Sequence, residues 1–364
     1  MSRRLLRYVD WPLLAVTLAL MAAGTVILYS AVQNSADPGS VVRMRLAHIA
    51  VSLVVLAAVL AVDYRTLARL WRPLWAGAVL LLVLVLVAGR SSGGAQRWLA
   101  VGSWTGFQPS ELAKVTLVIT LARHIDSHRD VGSWRAVVSV LLHAAVPMAL
   151  IARQPDLGTA LALGAVLAAL LFVAGAPLRV LVGLGAGAAA LAPVAWGMLH
   201  DYQRQRLLAF LDPAADPLGA GYALIQSRIA VGSGQIWGKG LLRGTQNLLH
   251  FIPEQHTDFI FTVVGEELGF VGAVALVGLF ALWLWRGAAI AAAAKDRTGM
   301  LMAVGAVALT AFHVFVNVGM TVGLMPITGI PLPFISHGGS ALVAFGALTG
   351  LVLNVGMRRK KILF

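Results

Sequence analysis

Ten apolar runs separated by polar segments divide the chain. They lie near 12–32, 46–62, 74–88, 110–122, 136–151, 158–175, 178–197, 260–285, 299–323 and 340–357. A bilayer-spanning helix takes roughly 20 apolar residues, with a range of about 17–25. The third and fourth runs are the shortest. No repeat of fixed period is visible, and the first run is not followed by the small-residue cleavage site of a signal peptide. The pattern predicts one all-α polytopic membrane domain over 1–364, with about ten transmembrane helices.

Composition agrees with this reading. Of the residues, 59% are hydrophobic and 12% charged, where a soluble domain carries about a quarter charged. There is no cysteine, which removes disulfides, thiolate metal sites and cysteine nucleophiles. The net charge of +13 would suit nucleic acid, but its distribution does not. With the N-terminus inside, the cytoplasmic segments hold 17 of the 28 Lys and Arg and 5 of the 15 acidic residues. They include Arg3, Arg4, Arg129, Lys360 and Lys361. This is the positive-inside bias of a membrane protein, so no nucleic-acid partner is expected. Both termini are then cytoplasmic. The only long connection, about 198–259 between the seventh and eighth runs, is extracytoplasmic. A loop of that length is functional or disordered, and its Trp, Phe and Ile content argues against disorder.

Ionisable residues at the ends of apolar runs are expensive and mark pairing or function. Glu111 and Lys114, three apart after Pro109, share a helix face. They form either a structural ion pair or a site where Lys114 meets an anionic headgroup. Asp156 is placed either to cap the sixth run or to edge a cavity. Asp258, in Pro253-Glu254-Gln255-His256-Thr257-Asp258, is likewise a cap or a reactive carboxylate. Glu266 and Glu267 follow inside the run, and at least one must face protein or water. Arg206, Arg228 and Lys239 lie in the long loop, the last two among glycines. That pattern fits a solvated loop or a cradle for a phosphate group. No P-loop, H-E-x-x-H or G-x-S-x-G motif is present, so histidine-bound zinc and a hydrolase triad are not supported.

Seven segments, in order, carry a resemblance. They are Gly94-Ala95-Gln96-Arg97-Trp98, FQPSELAK (107–114), QPDLGTA (154–160), SRIAVGSGQIWGKG (227–240), FIPEQHTDFIF (251–261), GEELGFVG (265–272) and GIPLPFISHGGS (329–340). Together they resemble the SEDS family of shape, elongation, division and sporulation proteins, and its RodA branch more than its FtsW branch. The family usually has Tyr where this chain has His337. The resemblance implies ten spans in the cytoplasmic membrane. It also implies polymerisation of lipid II into a lipid-linked glycan, within the elongation machinery and with a class B penicillin-binding protein as transpeptidase partner. It places the essential aspartate on Asp258, the paired Glu and Lys on Glu111 and Lys114, a further acid on Asp156 and a functional tryptophan on Trp98.

In the expected reaction an acceptor hydroxyl displaces a lipid diphosphate with inversion, and Asp258, beside His256, serves as base or metal ligand. A divalent cation (Mg2+ or Mn2+) or Lys114, Arg206, Arg228 and Lys239 would neutralise the diphosphate. Two other readings use the same residues. A lipid flippase would line a path with the charges. A scaffold that activates a partner synthase would need Asp258 only as a cap.

Overall fold

The computed structural model describes residues 7–92, 95–101, 104–128, 130–249 and 251–359. Arg3, Arg4, Gly94, Arg129, Lys360 and Lys361 lie outside the described residues. In chain order, α1 (Trp11–Val32) and α2 (Pro38–Ala61) are followed by a short α3 (Tyr64–Arg69) and α4 (Trp71–Ala88). Strands β1 (Arg90–Ser92), β2 (Ala95–Val101) and β3 (Trp104–Phe107) come next, then α5 (Pro109–Asp126), α6 (Trp134–Arg153), α7 (Leu157–Val173) and α8 (Leu178–Met198). The long loop holds α9 (Asp201–Leu211), α10 (Tyr222–Ser233) and α11 (Thr245–Leu248). The chain then runs through α12 (Ile260–Val263), α13 (Gly269–Ala292), α14 (Arg297–Thr321) and α15 (Gly339–Met357).

Each predicted run is therefore helical. Among the described residues eight helices are long and apolar enough to cross a membrane, counting Ile260–Ala292 as one. Of the other two, α7 is apolar but has 17 residues, and α5 carries Glu111, Lys114, Arg123 and Asp126. Helix starts follow local chemistry. The carboxylates of Asp10, Asp37, Asp156 and Asp296 each accept a first-turn N–H, of Leu13, Ser40, Thr159 and Gly299. Such a cap satisfies one of the helix's orphan donors. Of the long helices α5 and α15 are the most enclosed, and α8 has no buried residue.

Two features depart from the all-helical expectation. Strands β1, β2 and β3 form a three-stranded antiparallel meander, with Arg90 opposite Trp98 and Leu99 opposite Phe107. The eighth run is not one regular helix. Residues Val264–Leu268 form a π turn, and Gly269 breaks the helix with φ +65°. At 1.5 Å per residue the 24 residues of α13 reach about 36 Å, enough for the ~30 Å hydrocarbon layer. The break thus falls at the loop-side boundary of the membrane.

Residues 235–240 of the loop fill that break. The N–H groups of Lys239 and Gly240 donate to the carbonyls of Glu266 and Glu267 (3.0 and 2.9 Å). Those of Phe270 and Val271 donate to Gln235 and Ile236 (2.8 and 3.1 Å). The two backbones touch only because both sides carry glycine. A Cβ on Gly238 (φ +78°) would lie 2.2 Å from the Glu267 carbonyl oxygen, and one on Gly269 would lie 2.3 Å from the Gly238 nitrogen. Both expected acids are buried here. Glu267 accepts from the Ser30 hydroxyl (2.6 Å) and from the N–H groups of Leu242 and Gly244. Glu266 pairs with Lys239 at 2.7 Å.

The substitution Gly238→Ala combines a left-handed conformation, costing about 1–2 kcal/mol, with that backbone clash. Its thermal midpoint in detergent is expected to fall by several degrees, with faster proteolysis of the loop. A wild-type midpoint would contradict the interlock.

Candidate active site

Asp258 sits at the end of the loop, one residue before the cap of α12. The carbonyl of Glu254, a residue with φ +50°, accepts the N–H groups of Thr257, Asp258 and Phe259 at 3.2, 2.9 and 3.4 Å. Buried Ile252 and Phe259 pack with Ala230 of α10 and hold this turn down. The buried Gln255 amide donates to the Thr262 hydroxyl at 3.1 Å. The cap residue of α12 is Phe259, and no side chain caps that helix. Asp258 is therefore not a cap, and the scaffold reading loses the role it assigned to this residue.

Burial pushes the Asp258 carboxyl up to about 6, against the opposing pull of Arg206 and with a further push from Glu254; Arg97 and Thr257 act to lower it. The cause is desolvation that neighbouring cations do not fully offset. Arg206 reaches the site from α9, with its guanidinium over the Tyr202 ring. A Cβ on Gly329 would lie 3.4 Å from both Arg206 Nη1 and Asp258 Oδ2, so this glycine leaves room for the two groups to face each other. Among the described residues Arg206 forms no ion pair, and its guanidinium keeps donors for an anion.

Arg97, which sequence reasoning left aside in favour of its neighbour Trp98, is the second cation acting on Asp258. Its Nε donates to the Gln154 carbonyl at 3.1 Å and its Nη2 to the Pro155 carbonyl, while Nη1 lies 3.9 Å from Asp156. The signal was an arginine in a strand-length stretch of a Gly-rich segment. Of the two roles expected of Asp156, the structure shows the cap. It caps α7 through the Thr159 N–H at 3.2 Å and also meets Arg97 and the Gln108 amide. Tyr202 and Gln203 of α9 donate to the same Pro155 carbonyl, which binds the loop helix to this corner. Trp98 packs over Gly106 within the meander.

Lys114 and Glu111 form a buried pair at 2.8 Å, with side chains 1% and 5% exposed. Lys114 also bonds His313 Nε2 at 3.2 Å, and His313 Nδ1 bonds the Pro331 carbonyl at 3.1 Å. An ammonium can only donate, so His313 accepts at Nε2 and carries its proton on Nδ1. Among the described residues Glu111 Oε2 has no hydrogen-bond partner. It lines a groove of about 820 Å³ between α2, α5 and α15, walled by apolar residues such as Val51, Val115 and Val343, with Arg43, His48 and Ser340 also on its lining.

The loop cations do not all converge. Arg228 donates to the Gly323 carbonyl at 3.0 Å, and Lys239 is held by Glu266 and Thr245. Both fasten the loop, and the bonds that hold them are not to the Asp258 turn. His256 accepts the His337 N–H on its carbonyl at 2.9 Å. Its ring lies 5.8 Å from that of His337, which in turn lies 6.4 Å from His48. Burial, with His256, Arg45 and His48 nearby, holds the His337 imidazole down to about 4, so it is neutral at pH 7.

Fold and site together define a polytopic membrane enzyme, with a desolvated carboxylate facing cations and an apolar groove between its helices. The family model described as Cell cycle protein, FTSW/RODA/SPOVE, matches residues 10–361. The peptidoglycan glycosyltransferase MrdB of Escherichia coli strain K12 is 41% identical, over 97% of this chain and 95% of that protein. A probable peptidoglycan glycosyltransferase FtsW of Trichlorobacter lovleyi is 37% identical, over 97% and 94%. Among solved structures, the rod shape determining protein RodA of Thermus thermophilus superposes with a TM-score of 0.73 at 32% identity, covering 97% of this chain and 98% of that one. A chain from a peptidoglycan synthase complex that coordinates polymerization and crosslinking gives 0.83 at 36%, covering 96% and 98%. The chain belongs to the FtsW/RodA/SpoVE family, that is, SEDS, and it is a glycosyltransferase.

Removing one member of a buried ion pair leaves an uncompensated charge, at about 3–5 kcal/mol. Lys114→Met is expected to lower the unfolding midpoint accordingly, and Lys114→Met with Glu111→Leu to recover most of it. Equal midpoints for wild type and the single variant would contradict this.

Proposed function

We propose that this protein polymerises peptidoglycan glycan strands from lipid II at the outer face of the bacterial cytoplasmic membrane during cell elongation. The observation that carries the reading is Asp258, desolvated and facing Arg206, whose donors are free for an anion. The positive-inside charge distribution supports an outward site, and the likeness to MrdB and RodA supports the elongation role.

The acceptor 4-hydroxyl attacks the anomeric carbon of the donor, and the bond to the diphosphate breaks with inversion. The hydroxyl proton passes to Asp258, and the lipid diphosphate leaves with the electron pair. A carboxylate held near 6 is a stronger base than an ordinary one and is still ionised at pH 7. Arg206 stands where the departing diphosphate gains charge, and Arg97 adds to the field. The apolar groove suits a prenyl chain, with Arg43 and His48 on its polar lining.

Among the described residues no group of three or more His, Asp or Glu side chains is placed to hold a metal ion, so an Mg2+ or Mn2+ ion would rest mainly on the substrate diphosphate. Mg2+ commonly takes one or two carboxylates and fills its sphere with substrate phosphates. When bound, such an ion would neutralise charge on the diphosphate. A class B penicillin-binding protein is the proposed partner, supported by the likeness to a chain of the complex that joins polymerization to crosslinking.

Polymerisation of lipid II in detergent is expected to fall about tenfold per pH unit below a midpoint near 6 and to level off above it. Asp258→Asn is expected to abolish it without unfolding the protein. A carboxyl raised in the folded state lends stability that is full below about 3.9 and lost as pH rises through about 6. The variant's thermal midpoint at pH 7.5 should therefore equal or exceed the wild type's. Glycan chains made by purified Asp258→Asn would sink the assignment.

A further inference from the structure

Asp258 is held at both of its backbone groups. Its N–H is taken by the Glu254 carbonyl at 2.9 Å. Its carbonyl is taken by Asn317, a fully buried residue of α14, whose Nδ2 donates to it at 2.8 Å. The same Nδ2 donates to the Ile330 carbonyl at 2.9 Å. One amide thus joins the turn that carries Asp258 to the segment containing Gly329, the residue that separates Asp258 from Arg206. One turn earlier on the same face of α14, His313 holds the next carbonyl, that of Pro331, at 3.1 Å. His313 is in turn held by Lys114 of the buried ion pair. Two consecutive carbonyls of an otherwise irregular segment are therefore gripped by side chains four residues apart, which lie on one helix face.

We propose that Asn317 is the positioning residue of Asp258. It sets the distance between that carboxylate and the Arg206 guanidinium by tying the Asp258 carbonyl and the Ile330 carbonyl to one donor. His313, braced by Lys114 and Glu111, keeps the Ile330–Pro331 side of the tie fixed. This rests on the reading of Asp258 as the base. It assigns the buried ion pair of α5 a mechanical link to the site, through His313 and Pro331.

An asparagine that merely satisfied two buried carbonyls would affect folding alone. A positioning residue also changes what Asp258 feels. The charged groups that face the carboxylate are Arg206 of α9, Arg97 of β2 and Glu254 of its own turn. Freed from Asn317, the Asp258 turn can move outward, where water relieves the desolvation that holds the carboxyl high. The base then ionises at lower pH but no longer meets the acceptor hydroxyl correctly. Misplacement of a catalytic group by about 1 Å lowers turnover by about 100-fold.

The test measures lipid II polymerisation in detergent from pH 4.5 to 8 for wild type, Asn317→Leu, Asn317→Ser and Asp258→Asn, with the thermal midpoint of each. Serine is small enough to be accommodated if leucine prevents folding. For the folded Asn317 variants the expected result is a loss in kcat of about 100-fold with KM within about twofold. The acid limb should move below its wild-type midpoint. A reduced rate with an unmoved limb, or an unchanged kcat, overturns the proposal. If Asp258→Asn polymerises, the reading of Asp258 itself fails and takes this inference with it. If Asp258→Asn is inactive while the Asn317 variants keep the wild-type limb, only the role of Asn317 fails.

Discussion

The carbonyls of Glu266 and Glu267, released where the helix breaks at Gly269, must find donors at the edge of a bilayer, where water cannot be relied on to supply them. Unsatisfied backbone groups at that depth cost several kcal/mol each. The protein satisfies them with its own loop. The N–H groups of Lys239 and Gly240 enter the break, and Gln235 and Ile236 accept from the first residues of α13. Residues 235–246 of the loop take their position from this closure. The Glu266 and Glu267 carboxylates fasten residues 239–246. Helix α10 is pinned to the end of α14 by Ser227, and the short α12 is left to present Asp258 beside it.

Two aspartates show how the same side chain is put to different use. Asp156 accepts a helix N–H, a glutamine amide and a nearby guanidinium. It behaves as a satisfied structural carboxylate that also anchors Arg97. Asp258 has its backbone fully bonded and its carboxylate left largely without donors, so burial dominates and the proton is held more tightly. A carboxylate kept this way lowers the stability of the neutral-pH fold, which is the usual sign of a group retained for chemistry.

The ten apolar runs, the need for at least one of Glu266 and Glu267 to face protein or water, and the shared face of Glu111 and Lys114 were legible in the sequence, because each follows from spacing and the cost of charge in lipid. The cap on Asp156 was legible too. The break at Gly269 was not, since a glycine within an apolar run is tolerated in helices and only its approach to Gly238 makes it a break. The meander over 90–107 was hidden by its Gly and Ser content and short strands. Arg97 was overlooked beside a more conspicuous tryptophan. Lys239 and Arg228 looked like anion ligands, and in the fold Lys239 pairs with Glu266 while Arg228 donates to a backbone carbonyl. Sequence gives the charge of a loop residue but not its partner, and Asn317, an uncharged residue inside an apolar run, gave no signal at all.

Asp258 carries its proton up to about pH 6 in the folded membrane enzyme. Infrared difference spectra of purified protein labelled with 13C-carboxyl aspartate, titrated from pH 4 to 8, report this directly. The expected result is a protonated carboxyl band that vanishes with a midpoint near 6 and is missing from Asp258→Asn. A spectrum in which that band is already lost by pH 4.5, or persists unchanged in Asp258→Asn, would contradict it.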